Sequence, residues 1–471
     1  MDEKKTSVEN PPALLESNSS TSTKDLRTTE ICTIMSPSLE KGQADLPPDQ
    51  IEPPDGGYGW VCVACTMGVC GTGWGLNSAY GIFLAHYLTY DVFPGATPLD
   101  YAYIGGIGIG AGLLAAPVAN LAIRNLGLKP SLLIGTFLQL AGCIVASFAT
   151  HIWHLYVSQG LLMGVAIIFL FAPAVTVPPQ WFKKKRSLAN GLTVAGSGIG
   201  GVIIMLASQE WINKWGLAWC FRAVAIMTFV INITAVVLIR EISKVKPTFA
   251  LWDFKFLKQV ETNAYFLWVF FSLAGYVVML YSMSPAAKAA GLTDNQATNI
   301  SALLSAFMAF GRPFIGHFSD RYGRVNIVIL SAVLVIVLEY ALWLPANSYG
   351  MYVAYSILNG FVLGTVWVGL GPIAAEIAGL ASFQTLSCMG MVGMSIPGFF
   401  SEVIAIKIRR DGDKPYLWPI VYSSVAFFFS LLCALVMREY AIRRQVLKRH
   451  QEDPTYAVPG YWRRMFQWGR A

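Results

Sequence analysis

An arginine stands inside an apolar segment in Gly311-Arg312-Pro313-Phe314-Ile315-Gly316-His317-Phe318-Ser319-Asp320-Arg321-Tyr322-Gly323-Arg324, which ends in a polar turn. Counting back from Asp320 at about 1.5 Å per helical residue puts Arg312 roughly 12 Å above that turn, near the middle of a hydrocarbon layer about 30 Å thick. A guanidinium at that depth costs at least about 3 kcal/mol on insertion scales. We therefore expect Arg312 to face a bundle interior or an aqueous cavity, or to be a structural arginine bound to backbone carbonyls.

The composition of the whole chain also indicates a membrane protein. Of the 471 residues, 55% are hydrophobic and 13% are charged, and the mean hydropathy is +0.52, whereas a soluble domain carries about 25% charged residues. Apolar stretches long enough to span a bilayer recur along the chain. These stretches are predicted at 60–88, 101–123, 130–150, 153–177, 186–208, 217–240, 263–283, 295–318, 325–345, 350–378, 384–406 and 417–439.

The basic residues predict the orientation of the spans, because they concentrate in cytosolic loops. If the N-terminus is cytosolic, the C-terminus is cytosolic too, and most of the basic residues fall in four inner loops. These loops hold Arg124 and Lys129; Lys183, Lys184, Lys185 and Arg186; Arg240, Lys244, Lys246, Lys255 and Lys258; and Arg321 and Arg324. One outer loop, at 407–414, disagrees, but four inner loops outweigh it. The net charge of +7 therefore indicates a bias toward the membrane surface rather than nucleic-acid binding.

Motifs of enzymes and metal sites are missing from the sequence. Cys62 and Cys65 form a C-x-x-C spacing, but no histidine or second cysteine pair accompanies them. No phosphate-binding loop is present, which argues against a carrier driven by its own ATP hydrolysis, and no Gly-x-Ser-x-Gly or His-Glu-x-x-His motif is present either. We expect no enzymatic activity, no cofactor and no metal.

Two motifs resemble signatures of the monocarboxylate porter family of the major facilitator superfamily. The first is Pro54-Asp55-Gly56-Gly57-Tyr58-Gly59-Trp60 before the first span, and the second is Trp181 to Gly191, running into Ala195-Gly196-Ser197-Gly198. Gly316 to Arg324 resembles the superfamily's gating turn, and Arg124 to Lys129 is a degenerate first-half copy of it. The stretches from Phe93 to Tyr101 and from Gly379 to Phe383 look most like the fungal branch.

The resemblance implies an all-α membrane fold of twelve transmembrane helices in two six-helix pseudo-symmetric halves, with a solute site near mid-membrane between them. The predicted divisions are a disordered cytosolic tail at 1–52, the first half at 53–240, a cytosolic central loop at 241–262, the second half at 263–440 and a cytosolic tail at 441–471. The tail at 1–52 is rich in Ser, Thr, Pro and Glu and cannot bury enough surface to fold.

The expected function is a transporter of a small organic solute, above all an organic acid anion, working by alternating access. Arg312 matches the arginine of the family, and its planar fork suits a carboxylate. However, Ser78 and Met308 stand where animal lactate carriers keep a lysine and an aspartate, which speaks against lactate–proton symport by that mechanism. Proton coupling and facilitated diffusion both stay open.

Further site residues follow from helices that face the cavity in this superfamily. The candidates for solute binding are Arg312, Asn77, Ser78, Tyr276, Tyr281, Asn359 and Trp367. The candidates for a gate are Asp320, Arg321, Arg324 and Glu376, because charge pairs between the turn and Glu376 could hold the inner mouth shut.

Two alternatives to this function remain open. One is an efflux or uptake carrier for a larger metabolite or a vitamin, with Arg312 structural. The other is a membrane receptor or scaffold without transport, which needs neither a buried arginine nor a repeated gating turn. We expect a monomer whose partners are the solute and the bilayer, in the plasma membrane or alternatively in the vacuolar membrane.

Overall fold

The computed structural model describes residues 54–90, 92–182, 185–242, 253–379, 382–410, 412 and 414–452. These residues belong to one compact unit, and their regular secondary structure is entirely helical. The first ten α-helices are α1 Gly59–Ser78, α2 Tyr80–Tyr90, α3 Pro98–Leu114, α4 Ala116–Leu126, α5 Leu128–Ser147, α6 Ile152–Leu155, α7 Met163–Thr176, α8 Pro178–Trp181, α9 Arg186–Trp215 and α10 Leu217–Leu238.

Seven more α-helices follow a short 3₁₀ turn at Phe256–Lys258. They are α11 Val260–Ala289, α12 Asp294–Tyr322, α13 Arg324–Leu338, α14 Tyr349–Leu363, α15 Thr365–Ala378, α16 Phe383–Ile408 and α17 Leu417–Glu452. Two π-helical segments, Tyr156–Leu162 and Glu339–Trp343, continue α6 into α7 and extend α13.

Ten helices of the described chain are long and apolar enough to cross a membrane, or up to eleven if α3 and α4, which meet at a 43° bend, form one span. The α12 helix is not among them although it has 29 residues, because Arg312 and the polar residues at its two ends lower its hydropathy. Every one of the predicted apolar stretches corresponds to a helix or a pair of consecutive helices. The predicted all-α membrane fold is therefore confirmed.

Within residues 54–242 and within residues 253–452, short connections join consecutive spans, so neighbouring spans alternate in direction. We call the end where α12 meets α13 the Gly323 end, and the end where α11 meets α12 the Gly291 end. At Gly323 the backbone φ is +98°, a left-handed conformation that glycine adopts without steric cost. This conformation reverses the chain between the two helices.

The helices pack as two groups. Helices α1 to α10 contact mainly one another, as do helices α11 to α17, and the most extensive joints between the groups are α3 with α16 and α9 with α12. Glycines make both joints close. A Cβ atom at Gly106 would collide with the carbonyl oxygen of Phe399, and one at Gly198 would collide with that of Ser305. The predicted glycine-rich helices thus allow close backbone approach.

The two signature motifs contact each other at the Gly323 end. The amide of Asp55 donates to the carbonyl oxygen of Trp181 at 3.0 Å. The hydroxyl of Tyr58 donates to Leu238 O at 2.7 Å, and the Trp181 indole nitrogen donates to Arg240 O at 3.1 Å. The start of α1, the α8–α9 connection and the end of α10 therefore form one hydrogen-bonded unit.

Some sequence predictions lie outside the described residues. These are the N-terminal tail at 1–52, much of the central loop and the last part of the C-terminal tail. The described part of the C-terminal tail continues α17 as a helix to Glu452. The domain boundaries stay predictions.

Candidate functional site

Arg312 lies in the interior of the bundle, about ten residues or roughly 15 Å from the Gly323 end of α12. Its side chain is only 3% exposed. Nη1 donates to the carbonyl oxygen of Val194 at 2.7 Å and also to the hydroxyl of Ser197. Both acceptors belong to α9, so the guanidinium joins the two helix groups. The bond to a backbone carbonyl is what the structural interpretation of this arginine predicts.

The other edge of the guanidinium is not used in these bonds. Nε is buried and has no hydrogen-bond partner in the described structure, and both bonds to α9 leave from Nη1. The Tyr276 side chain lies beside the guanidinium. A guanidinium presents five N–H donors in a planar fork, and the buried Nε is a donor from which a carboxylate could accept a hydrogen bond.

A small cavity adjoins the Arg312 side chain. Its volume is about 10 Å³, which is about what one water molecule needs. Its lining includes Trp74, whose indole nitrogen is a second buried donor with no partner in the part of the chain that the structure describes. The lining residues are Cys70, Trp74, Ser78, Phe171, Val194, Ser197, Tyr276, Arg312 and Trp367.

Aromatic rings form much of the cavity wall. Trp74 of α1 and Trp367 of α15 lie with ring centroids 4.7 Å apart, across the boundary between the helix groups. Phe171 meets the Trp74 ring edge-on at 6.0 Å, and Tyr276 meets the Trp367 ring edge-on at 6.2 Å. A guanidinium among four aromatic rings suits a ligand with an anionic end and an apolar body.

The predicted binding residues are only partly brought together. Arg312, Ser78, Tyr276 and Trp367 line the same cavity, although the Ser78 hydroxyl donates to Trp74 O of its own helix at 2.9 Å.

Asn77 and Tyr281 form a separate pair, in which the Tyr281 hydroxyl donates to Asn77 Oδ1 at 3.3 Å across the two groups. Asn77 lines a neighbouring cavity of about 30 Å³ rather than the one at Arg312. Asn359 lies within the second group, where its amide nitrogen donates to Tyr355 and Met279 at 3.0 Å.

Three of the four predicted gate residues, Asp320, Arg324 and Glu376, meet at the Gly323 end. Arg324 Nη1 lies 2.9 Å from Glu376 Oε1, and Arg324 Nη2 lies 3.6 Å from Asp320 Oδ1. Arg444 of α17 donates to the Glu376 carbonyl oxygen at 2.7 Å, while Arg321 lies over the Tyr322 ring at 5.6 Å. All of these residues belong to the second helix group, so this cluster does not itself bridge the groups.

An amide pair bridges the groups at the same end. Gln384 Nε2 at the start of α16 donates to Asn120 Oδ1 of α4 at 3.1 Å. Neither residue was singled out from the sequence, and neither were Val194, Ser197, Trp74 and Phe171 at the cavity. Ser197 lies in the motif Ala195-Gly196-Ser197-Gly198, and a lone hydroxyl in such a glycine-rich run is a signal that could have indicated a partner for Arg312.

Within the described ranges, no three residues of the His, Cys, Asp or Glu type are grouped so that they could hold a metal ion. The cavity at Arg312 offers donors and aromatic rings instead. It is therefore suited to an organic anion.

Comparisons with known proteins identify similar chains. The sequence profile of the Major Facilitator Superfamily matches residues 62–402. The chain is 32% identical over 431 residues to the uncharacterized transporter ESBP6 of Saccharomyces cerevisiae, covering 88% of this chain but only 64% of that protein. It is 32% identical over 402 residues to the probable transporter MCH2 of the same yeast, covering 84% and 85%. It is 28% identical over 418 residues to the MFS-type transporter opdF of Penicillium oxalicum, covering 85% and 96%.

Proposed function

This chain belongs to the Major Facilitator Superfamily, and from that premise we propose that it carries a small organic acid anion across a membrane by alternating access. The observation that carries the proposal is a pair of buried donors, Arg312 Nε and Trp74 Nε1, that have no hydrogen-bond partner among the described residues and belong to residues that line one cavity. An unpaired buried donor costs about 1–3 kcal/mol. A ligand rich in acceptors, such as a carboxylate, would satisfy both donors.

Binding would divide the ligand between the arginine and the aromatic rings. One carboxylate accepts hydrogen bonds from the Nε–Nη2 edge of Arg312, while Trp74, Phe171 and Trp367 cover the apolar body. The bonds from Nη1 to Val194 and Ser197 hold the guanidinium plane in place. The finer assignment to the monocarboxylate porters rests on the two signature motifs and is part of this proposal.

Transport requires the helix groups to move, because the present cavity has room for only about one water molecule. The groups touch on both sides of the cavity, through Asn77 and Tyr281 toward the Gly291 end and through Asn120 and Gln384 toward the Gly323 end. Each link is a neutral hydrogen bond with a net value of about 1 kcal/mol. Hydrogen bonds of that strength can break alternately at the two ends without trapping the protein in one conformation.

The Gly323 end is proposed to face the cytosol, with both termini on that side. Basic residues concentrate there, including Arg124, Lys129 and Arg240, as the positive-inside rule expects. An epitope tag at either terminus should then be reached by antibody only in permeabilised cells.

A screen of radiolabelled carboxylates tests the proposed function with the full chain in liposomes. Each acid is paired with its neutral amide, and we expect flux of at least one acid to exceed that of its amide by more than about tenfold, since a charge-assisted hydrogen bond contributes about 1.5–3 kcal/mol. Specific binding without flux for any solute would favour the receptor alternative.

Arg312 supplies the decisive variants. Arg312→Lys keeps the charge but loses the planar edge, so we expect kcat/KM to fall about tenfold or more, and Arg312→Ala to lose transport. The matched control is Arg222→Lys, at an arginine that packs on Trp219 away from the cavity. Normal flux in Arg312→Ala at an unchanged protein level would refute the role.

A larger solute with an aromatic body is the second candidate. The observation that favours it is the cluster of four aromatic side chains around the cavity, with Trp74 and Trp367 in direct contact. Aromatic acids that outcompete aliphatic acids of equal charge in the same screen would support this candidate. Equal competition by aromatic and aliphatic acids would favour the carrier of a small organic anion.

A further inference from the structure

Glu402 is a carboxylic acid buried near the Gly291 end of α16, with a side chain that is 3% exposed. Its hydrogen bonds come from one hydroxyl group, because Ser282 Oγ lies 3.0 Å from Oε1 and 3.3 Å from Oε2. No cation lies within ion-pair distance of Glu402 among the residues that the structure describes.

The other ionisable groups around Glu402 do not neutralise a negative charge. Tyr281 approaches it from α11, and Tyr416 approaches it from the segment before α17. Arg409 is the nearby cation on that side, and its guanidinium lies over the Tyr416 ring at 5.1 Å. Across the boundary, Gly106 and Gly110 of α3 contact Phe399 of α16, and the acidic residue at the start of α3, Asp100, is hydrogen-bonded to Thr97 and Tyr156.

Physical chemistry favours a protonated carboxyl group in such a place. An ionised carboxylate buried without a cation loses far more hydration energy than one hydroxyl group can restore. The neutral acid keeps the contact with Ser282 and avoids that cost.

The position of Glu402 links it to the movement of the helix groups. Ser282 follows Tyr281, which is bonded to Asn77 of the first group. One helical turn before Glu402, Phe399 fits against Gly106 and Gly110 of α3. Parting of the groups at the Gly291 end would break contacts on both sides of the acid and admit water to it.

We propose that Glu402 is a proton-binding site that is loaded when the groups are closed at the Gly291 end and unloaded when they part there. On parting, the O–H bond of the carboxyl group breaks, a water molecule takes the proton as hydronium, and the hydrated carboxylate remains. On closing, the carboxylate takes a proton back from hydronium. This proposal rests on the proposed function, since the same movement would carry the solute.

Glu339 provides a matched control. It is also fully buried, with Ser424 donating to Oε2 at 2.6 Å and Oε1 without a partner in the described structure. It lies, however, between α17 and Tyr355 of α14, inside the second group. Movement between the groups would leave its surroundings unchanged.

Infrared spectroscopy of the full chain in liposomes, without solute, tests the proposal. Protonated carboxyl groups give a carbonyl stretching band separate from that of carboxylates, and part of this band should disappear reversibly as the pH rises. We expect Glu402→Gln to remove the pH-dependent component and Glu339→Gln to remove only a component that does not respond to pH. A pH-dependent component that survives Glu402→Gln, or that disappears in Glu339→Gln, would overturn the proposal.

Ser282→Ala is a second variant in case Glu402→Gln does not fold. Loss of the only hydrogen-bond donor to Glu402 among the described residues should shift its carbonyl band to higher frequency and keep the acid protonated to higher pH. An unchanged band would refute the assignment. Because no solute is present, the result is independent of the flux screen, and the two proposals fail separately.

Discussion

The Arg312 guanidinium is hydrogen-bonded through one nitrogen and unbonded at another. Nη1 donates to Val194 and Ser197 of α9, whereas the buried Nε has no hydrogen-bond partner among the described residues. Under the proposed function, the same side chain would join the helix groups and bind the solute. Loss of the hydrogen bonds to α9 should make the orientation of the guanidinium less well defined without removing its charge.

Ser197→Ala tests this division at a single hydroxyl group. We expect solute affinity to fall by about three- to tenfold, which is less than the loss of a whole hydrogen bond to a charged group at about 1.5–3 kcal/mol, because Val194 O still holds Nη1. The control is Ser208→Ala in the same helix, since the Ser208 hydroxyl is buried without a partner in the described structure. KM measured in liposomes should separate the two variants, and equal KM values would contradict the orienting role.

The sequence predicted part of the cavity and missed the rest for a definable reason. A buried cation in an apolar helix needs hydrogen-bond acceptors to offset the free-energy cost of burying its charge, so Arg312 could be singled out from that cost alone. The identity of the residues that accept hydrogen bonds from Arg312 depends on how α9 is rotated about its axis relative to α12. A single serine in the sequence does not reveal that rotation. Asn359 was predicted from the helix that it occupies, but its side chain packs toward Tyr355 and Met279.

At the scale of elements, glycines define how closely the two groups approach. Gly198 contacts Ser305 and Ala309 of α12, so closely that a Cβ atom would lie 2.8 Å from the Ala309 Cβ. Gly201, three residues further along α9, would place a Cβ at an ordinary 3.4 Å from the Ser78 Cβ. Two glycines of one helix thus meet very different surroundings.

Gly198→Ala should therefore push α9 away from α12 and destabilise the closed arrangement by about 1–3 kcal/mol, as overpacking does in other interiors. Gly201→Ala should be tolerated. The thermal midpoint of the purified protein in detergent measures the difference, and transport should fall only in the first variant. If both variants melt alike, the α9–α12 contact does not limit stability.

At the scale of the molecule, the Gly323 end carries two kinds of contact that could control opening. The charge cluster predicted from the sequence is present, but it ties α12, α13 and α15 to one another within one group. Its Asp320–Arg324 pair is partly exposed, at 43% and 29%, and such pairs contribute little. The Asn120–Gln384 bond, in contrast, joins the groups directly.

Two variants compare these contacts. We expect Asp320→Asn to lower the transport rate more than the affinity, and Gln384→Ala to shift the population toward a state open at the Gly323 end by about fivefold, the effect of about 1 kcal/mol. The readout is labelling of a cysteine at Ser78, in a background without native cysteines, by an impermeant reagent. Gln180→Ala is the control, because Gln180 donates within its own group, to Thr176 O.

Unchanged labelling in Gln384→Ala would show that the Asn120–Gln384 hydrogen bond does not act as a gate. An unchanged rate in Asp320→Asn, together with unchanged labelling, would reduce the charged turn to a topological anchor.

The helices were predictable because hydrophobic length is a direct requirement of the bilayer. The 43° bend between α3 and α4 and the two π-helical segments were not predicted. Both kinds of irregularity depend on which neighbours satisfy the displaced backbone groups, and that is a property of the packed bundle rather than of one segment.

The hydrogen bonds between Tyr58 and Leu238, and between Trp181 and Arg240, have a consequence for synthesis of the chain. Their acceptors lie at the end of α10, 180 residues after Tyr58 in the first of these bonds. A nascent chain therefore inserts its first helix long before that helix can form these bonds at the Gly323 end. Completion of the amino-terminal bundle should coincide with emergence of residue 240 from the ribosome.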